Sequence, residues 1–372
     1  MDNEIYSPGL EGVVAGETAV STLAGGLQYR GYPIEELATH STFEETAYLL
    51  LYGELPNVAE LDGFRSRLGA AANVCPQILE ILRQIPAATP CMDVLRTCVS
   101  LLGHWDPDAQ DTSHAANLRK AERLLAQLPV LLAAHWRHCQ QLPLVPPDAQ
   151  RGLADNLLWM LHGEPPSPRA ARALDVSLIL YAEHEYNAST FAARVVASTL
   201  SDLHSAVTAA VGALKGPLHG GANEHVLSIL QAAGSPEQAE AWVRGELAAR
   251  RRIMGFGHRV YKQSDPRAEY LKVLCRDLAE ETGNSSLEAI AETIERVVRR
   301  EKNLPPNLDW PSARIYHYLK LPVALYTPLF VLSRVAGWCA HIIEQQANNR
   351  LIRPRSRYIG RQTRSWVPLV DR

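Results

Sequence analysis

Four short stretches set titratable or charged residues in contexts poor in bulky side chains. They are YAEHEYNAST (181–190), GPLHGGANEH (216–225), IMGFGHRVYKQSDPRAEY (253–270) and PPNLDWPSA (305–313). His219 lies between Gly216-Pro217 and Gly220-Gly221, and His258 directly follows Gly255-Phe256-Gly257. Glycine permits positive φ and lets a ligand approach the main chain. A neutral histidine in such a loop can donate a hydrogen bond to a carbonyl oxygen. The plain alternative is a loop histidine facing water, and finding the same construction twice weighs against it. Asp309 stands just before an expected helix, with Pro311 in the first turn. It is either an N-cap aspartate or a general base partly desolvated by the adjacent Trp310.

Two arginines extend the set. Arg267, in SDPRAEY, stands at an expected helix start and is also readable as a surface residue. Arg334 interrupts the apolar run LYTPLFVLSRVAGWCAHII, where an unpaired charge is expensive. It requires an anion, either a buried protein carboxylate or a carboxylate-bearing ligand held in two-pronged geometry. His135 and His138, beside Cys139, have a spacing that zinc can use, but a charged helix end with exposed histidines fits better, so no metal site is assigned. HEYN at 184–187 is not a zinc-protease motif. No GxxxxGK[ST] occurs, and the GFG at 255–257 follows no strand, so neither a P-loop nor a Rossmann turn is expected.

The elements that must position these residues read as helices. Thr42 with Glu45, and Ser41 with Glu44, fit a capping box before AYLLLYG; Ser285 with Glu288 fits another before LEAIAETIERVVRR. Residues 117–139 and 167–181 also suit helices. Proline and glycine punctuate between them, and alternating β-branched runs are nearly absent. A small hairpin from GVVAGETAVSTL and LQYRGY is the exception. Residues 110–130 and 235–252 read as polar, alanine-rich surface. The predicted class is all-α with short loops. The 372 residues allow two domains, and 47% hydrophobic composition supplies a substantial core. A net charge of −3 gives no global sign of nucleic-acid binding, although Arg350, Arg353, Arg355 and Arg357 cluster near the C-terminus. The six cysteines are scattered without a CxxC and read as reduced thiols of a cytoplasmic protein, mostly in the core. The opening MDNEIYSPGLEG lacks a signal-peptide pattern. The apolar segment 321–343 contains Pro322, Pro328, Arg334 and His341, so a buried helix is expected there and no membrane association.

Taken in order, these stretches resemble the citrate synthase family, which includes 2-methylcitrate synthases. The similarity runs along nearly the whole chain, from GLEGVVAGETAVSTL and LQYRGYPIEELA to SRVAGWCAHIIEQ, NRLIRPRSRYIG and WVPL. The resemblance implies a role for each matching residue. His219 would hydrogen-bond an acyl-CoA thioester oxygen, Asp309 would take a proton from the acyl α-carbon, and His258 would polarise the oxaloacetate carbonyl. His184, Arg267 and Arg334 would bind oxaloacetate, and Arg353 would reach the partner subunit's site. The segment 253–262, with Ile253, Gly255, Gly257 and Lys262, would lie along CoA.

The resemblance further implies a two-domain helical fold. A large domain would comprise 1–220 and 321–372, and a small mobile domain 221–320 would close over the cleft. It implies a homodimer, no permanently bound cofactor and an enzyme making citrate from acetyl-CoA and oxaloacetate. Use of propionyl-CoA to give 2-methylcitrate is the alternative. The chain departs from the family pattern at Trp310-Pro311-Ser312, where many members have two aromatics before serine, and 104–125 matches no family pattern.

Overall fold

The computed structural model describes residues 6–258 and 260–372. The signal-peptide reading of residues 1–5, and the Arg259 position within 253–262, lie outside the described residues. Near the N-terminus a three-stranded antiparallel sheet is made of β1 (Ser21–Thr22), β2 (Gln28–Tyr29) and β3 (Tyr32–Pro33). The expected hairpin is therefore present but reduced, and the GVVAGETA half of the predicted run forms no strand. The helices follow as α1 (Ile34–His40), α2 (Phe43–Tyr52), α3 (Val58–Ala71), α4 (Pro76–Gln84), α5 (Cys91–Leu102), α6 (His114–Cys139), α7 (Leu153–His162) and α8 (Pro168–Tyr181). After them come α9 (Ala188–Ala197), α10 (Leu203–Leu214), α11 (Ala222–Ala232), α12 (Pro236–Ala248), α13 (Pro266–Thr282), α14 (Ser285–Lys302), α15 (Asp309–Tyr318) and α16 (Tyr326–Ala347). The fold is all-α.

Local chemistry accounts for the helix starts. Thr42 Oγ1 accepts from the Glu45 N–H at 3.3 Å while Glu45 Oε2 accepts from the Thr42 N–H at 2.7 Å, a reciprocal box worth about 1 kcal/mol. The competing Ser41–Glu44 box does not form, because Glu44 is buried and accepts from the Leu153 N–H at the start of α7. Pro76, Pro168, Pro236 and Pro266 each open a helix, where the missing N–H costs nothing. The predicted Ser285–Glu288 box is corrected by the structure. Asn284 is the residue before α14, no side chain caps it, and Glu288 turns into the core to meet Arg314 and Tyr318. An ion pair in low dielectric outweighs a solvent-exposed capping bond.

The core is organised around α16. Every residue from Tyr326 to Ile343 is buried, packed by α6, α9, α10, α8 and α2. The span Val323–Ala347 is long and apolar enough to cross a membrane, yet 89% of its most apolar window is buried inside the fold. Its hydrophobicity is thus that of a central core helix. The surface reading of 110–130 holds for the exposed residues 110–115 and is overturned from Ala116 onward for the same reason. Ala116, Ala121, Leu124, Leu125 and Leu128 are buried because α6 crosses the interior between α16, α5, α7 and α3. Lys120 hides its ammonium against the Asp111 carbonyl at 2.6 Å, so its charge does not mark a surface. The surface reading of 235–252 agrees with the largely exposed α12. His135 is also corrected: it is buried against Cys139 Sγ and does not face solvent.

Candidate active site

Six of the singled-out residues line one cavity of about 480 Å³: His184, His219, His258, Arg267, Asp309 and Arg334. They come from the α8–α9 turn, the α10–α11 loop, the loop before α13, the first turn of α13, the start of α15 and the middle of α16. Gly257, Asn307, Tyr181 and Phe330 complete the wall used below.

The histidines are set as neutral donors. The Val260 and Tyr261 N–H groups lie 3.1 and 3.2 Å from His258 Nδ1. Backbone N–H can only donate, so Nδ1 accepts and the ring proton is on Nε2. Burial, reinforced by Arg267, pushes the His258 pKa down to about 4. His219 has the opposite tautomer. Its Nε2 accepts from the Ser189 N–H at 3.3 Å and meets Ser189 Oγ at 2.9 Å, leaving the proton on Nδ1. Its pKa is likewise lowered to about 4, by burial and then Arg334. Ser189 is itself held by Asn187 and by the Trp338 indole N–H. His184 stacks edge-on against His258 with ring centroids 5.2 Å apart, and its Nε2 meets Tyr261 Oη at 3.2 Å. Burial and the charges of Arg267 and Arg334 hold it well below the ordinary histidine range.

Asp309 is not an N-cap. It is the first residue of α15, and the cap residue is Leu308. Pro311 has no N–H to offer and the Ser312 N–H goes to the Leu308 carbonyl at 3.2 Å, so neither engages the carboxylate, while the Asp309 N–H is taken by Asn307 Oδ1 at 3.1 Å. That carboxylate accepts from Tyr181 Oη at 2.7 Å. Burial raises the Asp309 carboxyl above the usual range, while Tyr181 and the charge of Arg267 oppose the rise. A buried carboxylate with one hydrogen bond is a stronger base than a solvated one and remains able to ionise. Asn307 also donates to the Gly257 carbonyl at 3.0 Å, tying the histidine loop to the helix that carries Asp309. Gly255 lets the two pack: at φ +89° an added Cβ would meet Trp310 at 2.8 Å.

The two cavity arginines are buried. Arg267 Nε and Nη2 donate to the two oxygens of Asp265 at 3.0 and 2.8 Å. Arg334 Nε donates to the Tyr181 carbonyl at 2.6 Å, and its guanidinium carbon lies 4.6 Å from the Phe330 ring centre. Arg334 forms no ion pair among the described residues. Burial lowers its pKa to about 10. A cavity with two neutral hydrogen-bond donors, a buried carboxylate base and two guanidiniums suits a dicarboxylate with a polarised carbonyl.

Other expected residues lie outside this cavity. Arg353 is exposed and lines a separate cleft of about 950 Å³ with Arg194, Glu344 and Arg350. Ile253 and Gly255 are buried behind the histidine loop, and Lys262 is exposed with Nζ 3.3 Å from the His258 carbonyl. Sequence reasoning assigned no role to Tyr181, Ser189 and Asn307. All three lie inside the quoted stretches, but their partners are 128, 30 and 50 residues distant.

A family model described as citrate synthase, C-terminal domain, matches residues 9–355. The chain is 47% identical over 367 residues to citrate synthase 2 of Bacillus subtilis, covering 98% of each. It is 43% identical over 375 residues to a 2-methylcitrate synthase of Shewanella oneidensis, covering 99% of each. Among solved structures, citrate synthase of Thermoplasma acidophilum in a ternary complex with carboxymethyl coenzyme A and oxaloacetate superposes with a TM-score of 0.92 at 33% identity, covering 99% of each chain.

Proposed function

The chain belongs to the citrate synthase family, and from that premise we propose that it condenses acetyl-CoA with oxaloacetate to give citrate and CoA. The observation that carries the reading is the meeting of His219, His258, Asp309, Arg267 and Arg334 in one cavity, with both histidines neutral. Arg334 and Arg267, with His184, hold the oxaloacetate carboxylates. His258 Nε2–H points its dipole at the ketone oxygen. Asp309 removes a proton from the thioester methyl while His219 Nδ1–H meets the charge growing on the thioester oxygen. The two must act together, because a thioester α-proton is too weakly acidic for a carboxylate alone. The enol carbon attacks the ketone, the new alkoxide takes a proton, and water cleaves citryl-CoA to citrate and CoA. This scheme calls for no metal or redox cofactor.

Several finer readings accompany it. Residues 1–220 and 321–372 form the large domain, and 221–320 the small one that closes on oxaloacetate and excludes water. The segment 253–262, with Lys262 on its exposed side, runs along CoA. The active form is a homodimer in which Arg353 serves the partner's cavity; its exposed position away from its own cavity supports this. The enzyme works in the cytoplasm, in keeping with six free thiols.

Propionyl-CoA is the second acyl donor to consider, since the 2-methylcitrate synthase of S. oneidensis is nearly as similar as the citrate synthases. One extra methyl is discriminated by only about 1–3 kcal/mol. Thiol release with oxaloacetate and each acyl-CoA tests the proposal. A higher kcat/KM with acetyl-CoA supports it, and a higher value with propionyl-CoA replaces citrate by 2-methylcitrate as the product. No oxaloacetate-dependent thiol release with either donor rejects both.

A further inference from the structure

Arg334, Gly337 and His341 follow one another along α16 at intervals of three and four residues, forming one ridge. Glu183 meets that ridge at Gly337. A Cβ there would come within 2.3 Å of Glu183 Oε2 and of the Ala182 carbonyl oxygen, so only glycine admits this approach. Glu183 thus sits one helical turn from Arg334 on one side and one turn from His341 on the other.

Its anchoring is one-sided. Oε1 meets His341 Nε2 at 2.9 Å and accepts from Ser21 Oγ at 3.0 Å. Oε2 has no hydrogen-bond donor among the described residues, although Glu183 is fully buried. Arg194 can only donate, so His341 Nδ1, 2.9 Å from Arg194 Nη1, accepts, and the ring proton on Nε2 goes to Glu183. Arg194 Nη1 also donates to Glu344 Oε2 at 2.7 Å, and Glu344 Oε1 accepts from the Ala19 N–H at 2.7 Å. The chain Glu344–Arg194–His341 fixes one oxygen of Glu183 and leaves the other at Gly337, one turn of α16 from a guanidinium whose partners are a neutral carbonyl and the Phe330 ring. Burial pushes the Glu183 carboxyl up, but His341, Arg334 and Ser21 outweigh it and hold the group below the ordinary range, so it is ionised.

We propose that Glu183 is a positioning residue for dicarboxylate binding: the fixed counter-charge that holds Arg334 before a ligand arrives and competes with the ligand's carboxylate afterwards. The inference rests on reading the cavity as the oxaloacetate site. Its consequence is a deliberate weakening of the hold on both oxaloacetate and citrate, which favours product release.

The test uses the full-length enzyme carrying Glu183→Gln, which keeps the acceptor for His341 and removes the charge. KM for oxaloacetate is expected to fall by roughly tenfold, the order expected when one competing charge beyond ion-pair distance is removed through an effective dielectric of ~20. Citrate should inhibit at correspondingly lower concentration, and kcat should fall as release slows. A merely structural role would raise KM, and an unchanged or raised KM overturns the proposal. A thermal-melting cycle without substrate, using Glu183→Gln, Arg334→Gln and the double variant, provides a readout independent of turnover. If the charges balance each other, the double variant loses less Tm than the sum of the singles; additive losses overturn the pairing. Should Glu183→Gln fail to fold, recovery of folded protein in the double variant supports the pairing, and its absence overturns it. Absence of thiol release by the wild type would reject the activity while the melting cycle still judged Glu183.

Discussion

Two buried arginines on consecutive helices are treated in opposite ways. Arg314 on α15 is 1% exposed and Arg334 on α16 is 2% exposed. Arg314 donates through Nη1 to Glu288 at 2.8 Å and through Nε to the Trp310 carbonyl, and Tyr318 closes on the other Glu288 oxygen at 2.5 Å. Arg334 receives one carbonyl, and its nearest counter-charge stands a turn away. Burial alone would lower both pKa values. At Arg314 that effect is outweighed by Cys275 and Glu288 and the net shift is upward, whereas at Arg334 it prevails. A buried charge closed within the protein fastens helices together. A buried charge left without an ion pair beside neutral donors retains bonding capacity for a ligand, and the fold bears its desolvation cost.

The contrast can be attacked at several points. The largest effect belongs to the cavity. Asp309→Asn should lower kcat by about 10³- to 10⁴-fold while oxaloacetate still binds, measured by thiol release and by calorimetric titration. Near wild-type turnover would remove Asp309 from the mechanism. On the structural side, Arg314→Met leaves Glu288 buried without its cation and should cost about 3–5 kcal/mol in denaturant unfolding. Arg334→Met should instead raise KM for oxaloacetate by about 10²-fold and cost less stability than Arg314→Met, because Glu183 stands beyond ion-pair distance and keeps His341 and Ser21 as partners. If the two variants destabilise equally, the distinction drawn here between them fails.

Acidity sharpens the same comparison by smaller amounts. The proposed mechanism requires ionised Asp309, whose carboxyl is raised by burial against the opposing hydrogen bond from Tyr181. Activity should therefore fall on acidification at a higher pH than for an ordinary carboxylate. Tyr181→Phe should move that limb further upward, because it removes a bond that favours the charged form. For stability, His219 and His258 are depressed to about 4 from 6.5. Between these values the unfolded chain binds protons that the folded chain does not, so their contribution is intact above about 6.5 and is lost as pH falls toward about 4. Melting temperature followed from pH 7 to 4 checks this. The smallest effect is expected at the surface. Thr42→Ala removes the α2 box and should cost about 1 kcal/mol without touching kcat.

Much of the fold was legible because helix signals are local. The Thr42–Glu45 box, the prolines at helix starts and the apolar run of α16 each need only a few consecutive residues. The failures have one cause. Ser285–Glu288 has the form of a cap, and 116–130 has the composition of a surface, but both were overruled by partners distant in sequence. Glu288 pairs with Arg314, and α6 is enclosed by helices from both ends of the chain. Asp309 shows the same limit in the site. Its position at a helix start was readable, but whether its carboxylate capped that helix depended on the Leu308 carbonyl taking the Ser312 N–H and on Tyr181 arriving from α8.

The sequence by itself determined the all-α class and the reactive residue types, because glycine, proline and capping residues act on the backbone beside them. It also placed an arginine in an apolar helix, which demanded an anion. Tertiary structure alone decided which anion could reach it. Only packing puts Tyr181 on Asp309, two backbone N–H groups on His258 and Glu183 against Gly337. Those contacts set proton positions and charge balance, because both depend on burial and on distances between segments far apart along the chain.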